Sequence, residues 1–465
     1  MTVPSQRKYY YKGQGERMSE NRIEIKLANK KQRMEGFGAS GAWWAQHTGS
    51  WQPNEVTRLL ELLFHPQSGI GLTIYRHNIG GGDGQEIEDP WRRAETYEVS
   101  EGEYDWSRDA QAVAVMKQAV ASGAERIVAF ANSPTPRMTQ SGLTSGHQEG
   151  RSNFKEGMED AFATYLVDVV KHLIDVEGLP VDWIAPINEP MWLWNASHNG
   201  QEGCHYQPEE CVSVYRALAR RIEDQGLPVR ISALEAGEWS SARMYYYKLA
   251  EDKELMKYID NIAVHSYVPH VSNIVFKEEF ANLIQKEQPE LPIWMSEWTE
   301  MEGGKDFGMS SALVMANLIH EDLTIGQVTS WQYWIAVSRY DFRDGLVYID
   351  EAEGKFQETK RLWVFGQFSK FIRPGYIRVE VESTHPELKV VAYADQGGHV
   401  ATLVVINNSK EAITSSLEFG YCKHMGVVFT SEEHSFAGRH SGLPLNEWTF
   451  APESVTTIIA ETSEV

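Results

Sequence analysis

The sequence IAPINEP at residues 184–190 is the segment from which the fold of this chain can be predicted. An apolar run, typical of a buried parallel strand, ends abruptly in Asn-Glu-Pro. Because Pro190 has no backbone N–H to donate to a neighbouring strand, we expect a strand over residues 182–189 that stops there. The side chains of Asn188 and Glu189 would then lie at the carboxyl end of the strand, which is the active face of a parallel α/β barrel.

Strand-like and helix-like segments alternate along most of the chain. The predicted strands are residues 34–40, 72–76, 126–130, 182–189, 229–234, 261–265, 292–297 and 328–334. The helices predicted from apolar spacing are residues 54–64, 109–121, 158–176, 208–225, 243–250, 276–285, 311–322 and 359–371. Eight such alternations indicate an α/β fold of the (β/α)8 TIM barrel type rather than an open doubly wound sheet.

The pattern changes after residues 373–375, where Arg-Pro-Gly is followed by short β-rich runs separated by turn residues. Such runs are typical of a β-sandwich. Residues 22–28 alternate polar and apolar side chains ahead of the barrel, so they could form a strand of this sandwich. We therefore predict the following organisation: a disordered N-terminal extension at 1–20, a strand joining the side domain at 21–33, the catalytic barrel at 34–372 and the β-sandwich at 373–465.

Composition limits the class of partner. The 465 residues include 43 Lys and Arg against 65 Asp and Glu, a formal net charge of −22. Nucleic acid and acidic membrane surfaces would be repelled, so a neutral substrate fits better. No segment is long and apolar enough to span a membrane, and the N-terminus lacks an apolar signal segment. We expect a cytoplasmic protein, or a secreted one if a leader has been removed; the sequence does not indicate an oligomeric state.

Cysteine and metal-ligand patterns are sparse. The three cysteines, Cys204, Cys211 and Cys422, form no disulfide framework. Cys204 and Cys211 could pair locally, but free thiols are the expectation. No His/Cys/Asp cluster has metal-ligand spacing, and the glycines at 80–82 lack the Gly-Lys-Ser/Thr ending of a phosphate-binding loop. We predict neither a metal nor a cofactor.

Two predicted strands end in a glutamate. Glu189 ends the fourth strand and Glu297 ends the seventh, so in a barrel both would face one cleft. Glycoside hydrolysis uses such a pair: one carboxylic acid protonates the leaving oxygen and one carboxylate attacks the anomeric carbon. A single glutamate at a strand end is more often a salt-bridged residue of the rim. Two at matching strand ends favour the catalytic interpretation.

Several short motifs extend this interpretation to a family. The chain resembles glycoside hydrolase family 30, a retaining group whose acid/base ends strand four and whose nucleophile ends strand seven. The resemblance covers nearly the whole chain from about residue 20, and it implies that Glu189 is the acid/base and Glu297 the nucleophile. The motifs that carry it are GFGA at 36–39, RHNIG at 76–80, HSY at 265–267, WQYW at 331–334 and FGQFSKFIRPG at 365–375.

The resemblance also suggests polar residues that support the pair. Asn188 is expected to bind the sugar 2-hydroxyl, a contact that strengthens in the transition state. Arg76 and Tyr267 are expected near Glu297, where a cation and a hydroxyl donor would favour the ionised carboxylate. His265 could bond within the site or could satisfy a backbone carbonyl.

Aromatic residues near the predicted strand ends are candidates for sugar platforms. Trp331 and Trp334 lie on opposite faces of the last strand, and Trp334 is the better platform because it is nearest to the strand end. Trp192 and Trp298 lie in or beside the loops of the active face. They could line sugar subsites or pack the loops.

Three further positions leave alternatives open. Arg137 stands in SPTPRM at 133–138, where the family often has an aromatic residue. It could bind an acidic sugar, but an ion pair with a loop carboxylate is the safer expectation. Glu235 and Glu238 follow the fifth strand, and either could bind a sugar hydroxyl or be solvated at the rim.

The substrate is indicated by one segment only. The sequence QEGCHY at residues 201–206 resembles the branch of the family that acts on β-1,6-linked galactans. A β-xyloside, β-glucoside or β-fucoside stays open, and short oligosaccharides and exo-action are weakly favoured. A non-catalytic carbohydrate-binding protein on the same scaffold is the alternative of a different class, and the presence of both glutamates argues against it.

Overall fold

Eight parallel strands close into a barrel, which confirms the predicted fold class. The computed structural model describes residues 20–82, 84, 86–267, 271–350, 352–419, 422–441 and 446–462; the first nineteen residues of the predicted extension lie outside them. The barrel strands, numbered one to eight in chain order, are Gly36–Ser40, Ile74–Asn78, Arg126–Phe130, Val181–Ala185, Arg230–Ala236, Ile259–His265, Ile293–Glu297 and Ser330–Tyr333.

Helices follow the barrel strands as the apolar spacing predicted. Their ends differ from the predicted bounds by a few residues, because helix termini carry little periodic signal. The α-helices of the described residues are Ala45–Thr48, Pro53–Phe64, Ala110–Ser122, Glu159–Asp175, Pro208–Gln225, Trp239–Ala250, Val271–Glu287, Met309–Thr324 and Lys360–Ser369. Single 3-10 turns lie at Pro90–Arg92, Pro136–Met138 and Leu255–Lys257.

The helix Pro208–Gln225 illustrates how local sequence sets an element. Pro208 occupies the first turn, where its missing N–H costs nothing, and Gln207 and Glu210 form a reciprocal capping box. The helix ends at Gly226, whose φ of +60° is left-handed and suits glycine.

The fourth strand is shorter than predicted. It ends at Ala185 rather than at Glu189. The proline that stops the ladder is Pro186, because it lacks the N–H that the next strand position would donate. Asn188 and Glu189 therefore lie in the segment after the strand, and the Glu189 backbone N–H donates to the carbonyl of Glu235 at 2.9 Å. The segment at residues 184–190 is thus hydrogen-bonded to the end of strand five.

The side domain is a nine-stranded sheet, and the N-terminal strand Arg22–Arg33 is part of it, as predicted. This strand pairs antiparallel to Ile377–Ser383 and parallel to Ile413–Glu418. We keep the domain boundaries predicted from the sequence as a proposal. The remaining strands of the sheet are Leu388–Ala394, Val400–Asn407, Cys422–Thr430, Ala437–Ser441, Glu447–Phe450 and Ser454–Thr462.

Alternation along the strand Val400–Asn407 explains how the side domain packs. Leu403 and Val405 lie in the apolar core of the side domain, whereas Val404 and Ile406 belong to the larger core that includes the barrel. Because successive side chains of a strand point to opposite faces, one strand contributes to both cores. The side domain is therefore a packed partner of the barrel.

Two smaller expectations can be compared with the fold. Cys204, Cys211 and Cys422 are free, buried thiols, as expected. Within the part of the chain that the structure describes, the helices lack the length and apolar character needed to span a bilayer.

Candidate active site

Charged side chains from strands two, five, six and seven and from the segment after strand four meet at the carboxyl end of the barrel. We call this group the central cluster: Arg76, Glu189, Glu235, His265 and Glu297. Every member is buried. Burial of charged groups is costly unless they pair with one another, so the composition of the cluster limits which protonation states it can adopt.

The two predicted catalytic carboxylates converge in this cluster. One oxygen of Glu189, one oxygen of Glu297 and a ring nitrogen of His265 all lie within 4.8 Å of one another. Retaining glycosidases hold their carboxyl groups about 5–5.5 Å apart, whereas inverting enzymes need about 6.5–9.5 Å to seat a water molecule. The spacing corresponds to the retaining geometry. It would also admit a metal ion, but Arg76 and His265 already supply cations to these carboxylates.

Arg76 and Tyr267 both contact Glu297, which confirms their predicted proximity. Nη1 of Arg76 donates to Oε2 of Glu297, and Nη2 donates to Oδ1 of Asn188 at 2.9 Å. The Tyr267 hydroxyl donates to Oε1 of Glu297 at 2.7 Å. The Arg76 guanidinium carbon lies 3.6 Å from the ring centre of Phe130, a cation–π contact. Glu297 therefore accepts hydrogen bonds from one cationic and one hydroxyl donor.

His265 bonds within the site, so that alternative is the one the structure supports. Its Nδ1 lies 3.0 Å from Oε1 of Glu189 and 3.7 Å from Oε1 of Glu297. Its Nε2 lies 3.0 Å from Oε2 of Glu235. Burial alone would lower the pKa of His265, but the charge of Glu297 and the hydrogen bonds to Glu189 and Glu235 outweigh it and raise this pKa to about 9.

The cluster separates two of its carboxyl groups by environment. Burial raises the pKa of Glu189, although the hydrogen bond with His265 acts in the opposite direction. Burial also opposes charge on Glu235, but the Arg76 cation and the His265 hydrogen bond hold its pKa below the ordinary value. Glu189 therefore gives up its proton less readily than Glu235, and this difference suits Glu189 to act as the carboxylic acid of the pair.

Glu235 is the residue that sequence reasoning misjudged. It was expected at the rim, either solvated or bound to sugar, but it is 1% exposed and lies within strand five. Its Oε2 accepts from Ser296 at 2.5 Å and from Arg76 at 3.4 Å, besides its contact with His265. The signal that could have identified it is the one used for Glu189 and Glu297: a glutamate at the carboxyl end of an apolar strand.

Backbone irregularities direct these side chains into the site. The pairing register shifts between Leu234 and Ala236 in strand five and between Met295 and Glu297 in strand seven. Glu235 and Glu189 have left-handed φ angles of +45° and +46°. Bulges and left-handed residues are common where a strand end must aim a side chain at a functional site.

Trp334 lies directly after strand eight, beside Phe130 and Arg76. Its ring lies 6.3 Å from that of Phe130 and 5.0 Å from that of Trp43, both edge-on. Trp331 instead packs against Phe365 of the last helix, so the two tryptophans do lie on opposite faces. The position of Trp334 beside Arg76 and Phe130 suits a platform under a sugar ring, and this role stays a prediction.

Trp192 lies at the open side of the acid/base candidate. It is 38% exposed, and its indole N–H lies near the Glu189 carboxyl group, whose pKa it acts to lower. Gly237 lies directly behind both: a Cβ there would be 2.5 Å from Nε1 of Trp192 and 2.8 Å from Oε1 of Glu189. An exposed aromatic ring beside Glu189 is well placed to contact the leaving group of a substrate.

Two candidate binding residues lie elsewhere. Trp298 is 4% exposed and packs against Trp331 and Tyr333 on the helix-facing side of the barrel wall, so the structure does not bring it to the sugar pocket. Arg137 donates to both oxygens of Glu98, at 3.0 and 2.6 Å. This ion pair occupies the guanidinium and was the safer expectation, so the acidic-sugar alternative is not supported.

The segment at 201–206 contacts the turn that follows strand two, at the carboxyl end of the barrel. Glu202 is buried, and its Oε1 accepts from the backbone N–H of Gly81 at 2.8 Å. Asn78, at the end of strand two, donates to its Oε2 at 3.5 Å and accepts from Asn132 at 3.4 Å. The loop after strand four therefore anchors the glycine turn after strand two. Glu202 hydrogen-bonds this turn and Asn78 rather than a member of the central cluster.

Comparisons with known proteins agree with this geometry. The family model of O-glycosyl hydrolase family 30 matches residues 20–348. An endo-β-1,6-galactanase from Hypocrea rufa is 23% identical over 411 residues, covering 82% of this chain and 80% of that protein. Glucuronoxylanase XynC from Bacillus subtilis (strain 168) is 22% identical over 465 residues, covering 96% of this chain and 93% of that protein.

A solved structure has the same architecture from end to end. The crystal structure of a conserved exported protein from Bacteroides fragilis superposes with a TM-score of 0.83 at 25% identity, covering 94% of this chain and all of that one. The family match extends over well more than half of the chain and includes every barrel strand. The chain therefore belongs to O-glycosyl hydrolase family 30, a family of retaining enzymes, and is a glycoside hydrolase that acts on β-glycans.

Proposed function

We propose that Glu297 is the nucleophile and Glu189 the acid/base of a double-displacement reaction. In the first step an oxygen of Glu297 bonds to the anomeric carbon, the glycosidic C–O bond breaks, and the Glu189 proton moves to the departing oxygen. In the second step Glu189 takes a proton from water, the water oxygen bonds to the anomeric carbon, and the bond to Glu297 breaks. Asn188, Trp334 and Trp192 would position the sugar.

The observation that carries this proposal is the 4.8 Å limit on the spacing of the Glu189, His265 and Glu297 atoms. Inverting enzymes, which seat the attacking water between the two carboxyl groups, hold those groups about 6.5–9.5 Å apart. The environments support the same roles, because Glu297 has cationic and hydroxyl donors while burial raises the pKa of Glu189. A nucleophile should be ionised and an acid should be protonated before the first step.

We predict that Glu297→Ala and Glu189→Ala each remove nearly all turnover with little change in thermal stability. Adding azide to the Glu297 variant should yield the inverted glycosyl azide, because azide can enter the space left by the nucleophile. Proton NMR of the anomeric signal of the first product should reveal retention in the unsubstituted enzyme. Initial formation of the inverted sugar would contradict the mechanism.

We further propose β-1,6-linked galactan or galacto-oligosaccharides as substrate. Support comes from the segment at 201–206, and from a relative that is an endo-β-1,6-galactanase. Glu202 of this segment is buried against the turn that follows strand two, at the carboxyl end of the barrel. Because the same relative is an endo-enzyme, internal cleavage is a firmer proposal than the exo-action weakly favoured by the sequence.

A panel of substrates tests this choice. Hydrolysis of β-1,6-galactobiose and β-1,6-galactan in preference to 4-nitrophenyl β-xyloside, β-glucoside and β-fucoside would support it. Xylan is the strongest competitor, since the second relative is a glucuronoxylanase. Binding of any of these sugars without hydrolysis would instead favour the non-catalytic carbohydrate-binding alternative. The predicted cytoplasmic location stays a prediction.

A further inference from the structure

Glu235 stands out as a third buried carboxylate that neither step of the reaction uses. It is part of the central cluster, yet it would touch neither the anomeric carbon nor the leaving oxygen in the proposed roles. Its Oε2 instead contacts His265 at 3.0 Å, Ser296 at 2.5 Å and Arg76 at 3.4 Å. Its backbone carbonyl accepts the N–H of Glu189 at 2.9 Å. Such a residue can act only through its neighbours.

The neighbours of His265 determine its protonation. Carboxyl groups face it from three strands or strand ends: Glu189 and Glu235 each at 3.0 Å, and Glu297 at 3.7 Å. The ring is completely buried, and the Arg76 guanidinium is the nearby cation of the cluster. The Tyr267 ring stands edge-on to it with its centre 5.8 Å away. Carboxylates at both ring nitrogens favour an imidazolium that donates from both.

Counting charges then gives a simple result. Two cations, Arg76 and His265, balance two anions, Glu235 and Glu297, when Glu189 carries its proton. After the first step Glu297 is bonded to sugar and uncharged, while Glu189 has lost its proton and become the second anion. The total is zero in both states, and a buried cluster without net charge avoids the cost of an unpaired ion.

We propose that Glu235 is a positioning residue that keeps His265 protonated, so that both half-reactions proceed in a cluster without net charge. This inference rests on the proposed roles of Glu189 and Glu297. Nδ1 of His265 faces both catalytic carboxyl groups, so one imidazolium can stabilise whichever of them is ionised. No proton is exchanged with His265 in either step: the proton given to the leaving oxygen comes from Glu189 and is later replaced from water.

The direct test is the protonation of His265, read by NMR of protein labelled with ¹⁵N-histidine. The His265 signals are assigned by their loss in His265→Gln. We expect both ring nitrogens to carry protons at pH 7.5 in the free enzyme. A neutral ring at that pH, with one protonated and one bare nitrogen, would overturn the proposal without reference to turnover.

The variant Glu235→Gln keeps the shape of the side chain and removes its charge. We expect the His265 titration to move down by about 1–3 pH units, the effect typical of losing one close opposite charge. The alkaline limb of kcat/KM on β-1,6-galactobiose should move in the same direction. An unchanged His265 titration and pH profile would contradict the proposal, and Glu235→Asp, which keeps the charge, should restore part of both.

A matched control separates this effect from the general loss of a partly buried carboxylate. Glu35→Gln changes a carboxylate that accepts from Trp294 and Thr329, both at 2.6 Å, next to the start of strand one. It should leave the His265 signals where they are. The proposed function fails on different evidence, namely full activity of Glu189→Ala and Glu297→Ala, whereas the NMR titration reads His265 whether or not galactobiose is hydrolysed.

Discussion

The positions of side chains in the central cluster depend on neighbouring residues that take no part in the reaction. Gly237 is the clearest example. Its missing side chain leaves room for the Trp192 indole and the Glu189 carboxyl group, and its N–H donates to the sulfur of Met191 at 3.3 Å. The contact distances for a Cβ at this position, 2.5 and 2.8 Å, require the Trp192 ring or the Glu189 carboxyl group to move if any side chain is introduced. The absence of a side chain at residue 237 therefore determines where the Glu189 carboxyl group can lie.

We expect Gly237→Ala to lower kcat/KM by about 10-fold to 100-fold, because displacement of a reacting group by about 1 Å has effects of this size. Thermal stability should change little, since the groups that must move are the ends of side chains. Gly438→Ala is the control, because a Cβ there meets nothing within 4 Å. Wild-type kinetics in Gly237→Ala would mean that the Trp192–Glu189 contact does not influence catalysis.

At the scale of elements, the barrel combines regular strands with irregular strand ends. The register shifts in strands five and seven occur beside Glu235 and Glu297. The helix Pro208–Gln225, by contrast, ends at a left-handed glycine, as many helices do. Helix ends can therefore be tested for stability without disturbing the site, and Gly226 after the helix Pro208–Gln225 is suitable.

We expect Gly226→Ala to reduce the free energy of unfolding by about 1 kcal/mol, because alanine resists the left-handed φ of +60°. A Cβ at this position meets nothing within 4 Å, so only the backbone conformation should matter. Denaturant unfolding measures the loss, and activity should be unchanged. Asp224→Ala, an exposed change in the same helix, should have little effect; equal stability of the two variants would contradict the explanation.

At the scale of the whole molecule, buried acids make stability depend on pH. Burial raises the pKa of Glu202 to about 8, although hydrogen bonds from Gly81 and Asn78 act against this. Between its ordinary value of 4.5 and about 8, the folded protein holds a proton that the unfolded chain releases. Stability therefore falls as pH rises through this window, because the native state binds more protons there.

We predict that Glu202→Gln flattens this dependence. Glutamine resembles the protonated acid in shape and has no charge to lose, so the variant should gain stability relative to the wild type between pH 5 and pH 8. Urea midpoints at both pH values measure the difference. Glu433→Gln, at an exposed position of the side domain, is the control. Parallel pH dependence in wild type and Glu202→Gln would show that Glu202 is already ionised in the folded state.

Much of the architecture could be predicted from local patterns. The barrel, the strand-rich side domain and the contribution of the N-terminal strand follow from apolar spacing, which reports which face of each element is buried. The proximity of Arg76 and Tyr267 to Glu297 followed from their motifs. The end of strand four was misplaced, because two prolines compete to stop it and the pattern does not reveal which one does.

The sequence by itself determined that Glu189 and Glu297 lie on one face of a barrel, because carboxyl ends of parallel strands share one side. Only the tertiary structure decided that Glu235 is a buried partner of His265, that Arg137 pairs with Glu98 and that Trp298 packs against the barrel wall. Periodicity predicts which face a residue is on. Pairing between distant side chains depends on register shifts and left-handed residues at strand ends, which leave no periodic signal.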